Sequence, residues 1–143
     1  MMNTAGDFPQ RARLALQHAR ESLDQNVTLS ITRSEEATEY ALKAVLMIFG
    51  VNYPRDHGVH QVLGTREVYD RFPEWFQRQI PRLVMLSLIF SQLRIFARYG
   101  NERLGTPPND IFTQHEAEVY LEDAEEVVET CERLFAELNP SEA

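Results

Sequence analysis

An all-α fold, an up-and-down bundle of about five helices, is predicted by three observations. Apolar residues recur at i, i+3, i+4 and i+7 along most of the chain, and no stretch alternates as a strand would. The amphipathic segments are separated by short connections marked by Asn, Gly and Pro. The 143 residues, 43% hydrophobic with 6 Gly and 7 Pro, suit one domain with a core that needs no staples. The whole chain, 1–143, reads as that single domain, with 1–7 and 139–143 as frayed tails.

The first helix is expected over Pro9–Gln25, because proline suits a first helical turn and Ala12, Ala15, Leu16, Ala19 and Leu23 share a face. The second starts at Asn26 or Val27, with Asn26 as cap, and runs to Phe49. At ~1.5 Å per residue it extends about 35 Å, enough to be the spine of the bundle. Its small residues Ala37, Ala41 and Ala44 allow another backbone close, while Leu42, Leu46 and Phe49 form a second face. Gly50 supplies a left-handed stop. A third helix over Val59–Arg71 is weakened by Gly64. Phe72-Pro73 breaks it, and Glu74–Gln79 forms a turn that tucks Trp75 and Phe76 inward. Pro81 then opens a fourth helix, Pro81–Tyr99, apolar on more than half of its circumference, which marks either the most buried helix or a subunit interface. After the loop Gly100–Phe112, Thr113 and Glu116 match a capping box before a fifth helix, Gln114–Leu138.

The net charge of −8 is unevenly spread. Residues 1–103 carry 13 basic and 11 acidic side chains, whereas residues 104–143 carry one basic residue and 11 acids. Lys43 is the single lysine. An arginine-dominated basic set suits bidentate contact with phosphate or carboxylate, and genome composition produces the same bias. Cys131 has no partner for an internal disulfide and falls on an apolar helix face, so a buried thiol is expected. No basic segment followed by an apolar one opens the chain, and the apolar run Leu83–Leu93 is too short to span a bilayer. A cytoplasmic protein without membrane contact is the expectation.

The chemistry-bearing residues are few. His57 and His60 have the spacing of two metal ligands, but no third ligand is marked, and no Glu-x-x-His motif supports a di-iron bundle. Neither metal nor cofactor is expected. No phosphate loop or nucleophile elbow occurs. Arg94 and Arg98 lie one turn apart at the end of an apolar helix. The helix dipole alone favours cations there, and a phosphate-binding fork with Tyr99 as a stacking face is the functional reading. Lys43, one turn from Glu39, either pairs with it or reaches a ligand.

Two stretches carry a family resemblance. EEATEYALKAVLMIFGVNYPRDHGVHQVL, from Glu35, and FSQLRIFARYGNERLGTPPNDIF, from Phe90, resemble the central signature and second half of archaeal-type HEPN domains. The resemblance implies a helical bundle, a homodimer, and a gene neighbour encoding a minimal nucleotidyltransferase as partner. Many such proteins are metal-independent ribonucleases or toxins of toxin–antitoxin pairs, with an Arg followed after four to six residues by a His. Arg98 matches the Arg, but positions 103–105 are Arg103, Leu104 and Gly105. The motif in which a nearby tyrosine receives AMP is incomplete as well, although Tyr99 follows the Arg. The resulting expectation is a dimer that binds nucleotide or single-stranded nucleic acid through Arg94, Arg98 and Tyr99, with Lys43 and His57 as lesser contacts. It leans away from enzymatic activity. A ribonuclease with an unusual site and a pure protein-interaction module are the alternatives.

Overall fold

The computed structural model describes residues 7–52 and 58–138. Among these the chain forms six helices: α1 (Asp7–Ser22), α2 (Val27–Ile48), α3 (Val59–Leu63), α4 (Arg66–Tyr69), α5 (Glu74–Tyr99) and α6 (Gln114–Leu138). A 3-10 turn covers Pro108–Asp110, and the fold is an all-α bundle. The expected tails lie outside the described residues, except that Asp7 already belongs to α1.

Helix α2 is the spine. It packs on α1, α5 and α6 and touches α3. Asn26 caps it, its side-chain oxygen accepting from the Leu29 amide at 3.0 Å. At the other end Gly50, at φ +70°, turns the chain. The Gly50 amide donates to Met47 O and the Val51 amide to Leu46 O, the paired bonds of a left-handed helix stop. On α1, the small residues Ala12, Ala15 and Ala19 are buried with Leu16. The α1–α2 reversal is held by the Ser30 hydroxyl donating to Ala19 O at 2.8 Å. Helix α6 has the boundaries its sequence predicts, and its capping box is formed: Glu116 N donates to Thr113 Oγ1, and Thr113 N donates to Glu116 Oε1.

Three expectations need correction. Helix α1 ends at Ser22 instead of Gln25, because the following amides bond three residues back, Leu23 N to Arg20 O and Gln25 N to Ser22 O, and the chain tightens into a turn. The single helix expected over Val59–Arg71 is two short ones, broken at Gly64 and Thr65. Pro81 does not start a helix; it lies inside α5, which begins after Pro73. Proline there removes one bond, to the carbonyl four residues earlier, and the aromatic cluster in front of it holds the first two turns in place. Phe72 stacks between Phe49 and Phe76, at 4.5 and 4.8 Å between ring centroids, and Trp75 meets Phe76 edge-on.

The corrected α5 is 26 residues long, and by length and composition it is apolar enough to cross a membrane. It is not the most buried helix. A narrow stripe (Phe76, Ile80, Leu83, Leu86, Phe90, Leu93 and Ala97) faces the bundle. Met85, Leu88, Ile89, Ile95, Phe96 and Tyr99 are exposed.

Candidate binding site

The C-terminal turns of α5 lie against the first half of α2. Arg94 and Arg98, one turn apart on α5, face Glu35, Glu36 and Glu39 of α2 across a cleft of about 280 Å³. Opposite charges across such a cleft normally quench each other, and here the quenching is unequal. Glu36 is taken by Arg33 at 2.8 Å, and Glu39 by Lys43 at 2.8 Å. Neither Arg94 nor Arg98 has an ion pair or side-chain hydrogen bond among the described residues; Arg98 only reaches over the Tyr99 ring, 6.0 Å to its centroid.

Glu35 is the third carboxyl. It is 6% exposed, and its pKa is pushed up to about 8. Loss of water is the main cause and the charge of Glu39 the next, with Arg94 pulling the other way. Burial therefore favours the protonated form of Glu35, which weakens its hold on Arg94. The cleft presents two guanidinium groups without an ion-pair partner among the described residues, an arrangement suited to an anion with planar oxygen pairs. A second, smaller cavity shares Glu35, Glu39 and Arg94 as a wall and is bordered by His60 of α3.

The sequence-derived candidates divide accordingly. Arg94 and Arg98 meet in one cleft. Tyr99 is 57% exposed and stands beside Arg98, outside the lining of the cleft. Lys43 is held by Glu39. His57 lies outside the described residues. No group of three His, Cys, Asp or Glu side chains that could hold a metal occurs among the described residues. Sequence reasoning missed Glu35 and Thr38, and it named His60 only as half of a metal-ligand pair and not as a border of this cavity. The signal was present in the spacing Ile31, Glu35, Thr38, Leu42, which puts two polar residues on an apolar helix face.

A model of the HEPN domain matches residues 5–134, nearly the whole chain. The chain belongs to the HEPN family. Comparison with curated proteins finds no match. Among solved structures, this HEPN domain is similar to the protein TT1696 from Thermus thermophilus, with 27% identity and a TM-score of 0.72. The match covers 92% of this chain and 98% of that one, so the likeness extends over the bundle as a whole.

Proposed function

We propose that this HEPN protein binds a nucleotide or the phosphodiester backbone of single-stranded nucleic acid at Arg94 and Arg98, without cleaving it. The observation that carries the reading is the pair of guanidinium groups without an ion-pair partner among the described residues, in a cleft whose carboxyls are already paired or held toward the protonated form. Tyr99, exposed beside Arg98, offers a ring on which a neighbouring base would stack. The binding form is a homodimer joined through the exposed face of α5, where Met85, Ile89 and Phe96 follow at helical spacing. The family resemblance adds a nucleotidyltransferase as the protein partner of such a dimer.

The test is fluorescence anisotropy of a short labelled oligouridylate RNA. Arg98→Ala and Arg94→Ala should each weaken binding about tenfold, and each should lower the slope of log affinity against log salt by about one. Unchanged affinity in both variants would refute the site.

One observation favours a ribonuclease as second reading. His60 comes from another helix to border the cavity that Arg94 lines, and so stands where an unmarked histidine would be needed. That reading expects RNA cleavage in EDTA, lost in Arg98→Ala and in His60→Ala. Retarded but intact RNA leaves the binding reading in place.

A further inference from the structure

We propose that the cavity enclosed by α2, α3 and α5 is a subsite for a sugar hydroxyl of the ligand whose phosphate lies at Arg94 and Arg98. The inference rests on the nucleotide reading above and specifies it as recognition of ribose over deoxyribose.

The cavity measures about 80 Å³, and Glu35, Thr38, His60, Ser87, Ser91 and Arg94 are on its walls. Two of these polar groups are stranded. Thr38 is 1% exposed, and its hydroxyl has no hydrogen-bond partner among the described residues. The Nδ1 atom of His60 is buried and equally without partner among them. A helical threonine usually returns its hydroxyl to the carbonyl one turn earlier, and Thr38 does not. A buried polar group left without a partner is unfavourable, and a ligand hydroxyl would relieve it. The imidazole is folded back over Gly58, where any side-chain carbon would overlap the ring. Glycine there keeps His60 at the edge of the cavity.

The chemistry of the lining selects the occupant. The Thr38 and Ser87 hydroxyls can each donate and accept, and the Ser91 hydroxyl, which donates to Leu88 O at 2.7 Å, can still accept, which suits a neutral group with the same double capacity. A phosphate needs the fork of both guanidinium groups, and Arg98 lines only the outer cleft, so its place is there. A base needs an open aromatic face, and the phenyl ring at the cavity, Phe90, is 2% exposed and packed on Tyr120 at 6.3 Å. A sugar hydroxyl satisfies the remaining terms. The two pockets have Glu35, Glu39 and Arg94 in common, so hydroxyl and phosphate would be adjacent, as they are in a ribonucleotide. Ordered water is the competing occupant, at roughly 10–15 Å³ of free space per molecule.

Anisotropy titrations with oligouridylate RNA and the matching oligodeoxyuridylate distinguish these outcomes, since the two probes differ only in the 2′-hydroxyl. Wild-type protein should bind the RNA about tenfold more tightly. Thr38→Val, which keeps the side-chain shape, and Ser91→Ala should each bring the ratio toward one with little change for the deoxy probe, while thermal melts show that both variants fold. Arg98→Ala should weaken both probes and retain the ratio. Equal wild-type affinity for the two probes would overturn the subsite, with water as the occupant, and leave the nucleotide reading standing. A ratio unchanged in both Thr38→Val and Ser91→Ala would also overturn it. Failure to bind either probe would remove both proposals.

Discussion

Glu35 is a carboxyl that folding removes from water, and this has a sign that can be measured. Its folded pKa, about 8, lies above its ordinary value of 4.5, so the folded state holds the proton over a range where the unfolded chain has released it. Below about pH 4.5 both states are protonated and Glu35 contributes no pH dependence. Stability then falls as pH rises toward about 8, by at most ~1.4 kcal/mol per pH unit for one group, and the loss is complete above that. The groups that face it are Glu36, Glu39 and Lys43 on its own helix, His60 on α3 and Arg94 on α5. Glu35→Gln should therefore melt with a flatter pH dependence than wild type between pH 5 and 8, and should gain on the order of 2 kcal/mol relative to it near pH 8. Parallel profiles would show that the carboxyl finds solvent. Cys131 is the simpler case. It is fully buried, and burial pushes its thiol well above the ordinary value, so a thiol reagent should react with it only after denaturation. That burial was legible from the stripe of the last helix. Glu35 was not, because a glutamate in the polar stretch Arg33–Glu36 of a helix reads as a surface charge until α5 is seen to cover it.

At the scale of elements, α5 carries the dimer proposal. Ile95 is 52% exposed beside the exposed Phe96 on the face of α5 that does not meet the bundle. Ile95→Glu should convert the protein to monomer in light scattering, with little effect on the melting of the isolated bundle. A wild-type monomer would refute the α5 interface. The capped helices were readable to within a residue or a few: Asn26, Gly50 and the Thr113–Glu116 box each state a boundary in local chemistry. The start of α5 was not readable, since Pro73 and Pro81 both offer a first-turn proline. Tertiary packing of Phe72, Trp75 and Phe76 chose the earlier one. Gly64 marked the break between α3 and α4, though the sequence allowed a weakened helix as well.

At the scale of the molecule, the arginine bias acquires a structural cause. The acidic helix α6 is met by Arg13 and Arg20 from α1 and by Arg82 from α5. Arg13 holds both oxygens of Glu132, and Arg20 reaches Glu125 at 2.8 Å. Arg82 forks onto Glu126 at 2.9 Å to each oxygen. Arg133 covers the Trp75 ring at 3.9 Å, and the Trp75 indole donates to Glu137. These pairs orient the helices more than they hold them together, because they are partly exposed. Arg13→Ala should cost less than about 1 kcal/mol in denaturant unfolding, against about 2–5 kcal/mol for Leu42→Ala in the core. The reverse order would make charge pairing, not burial, the main source of stability.

The turn that leaves α5 adds one more consequence. Gly100, at φ +71°, passes directly against the backbone of Thr106, Pro107 and Pro108, so a side-chain carbon would strike main-chain atoms that cannot rotate away. Gly50 has the same φ sign but open space around it. In a saturation library, Gly50 should accept asparagine, while Gly100, in a connecting turn with no chemistry of its own, should be as intolerant as any position in the protein.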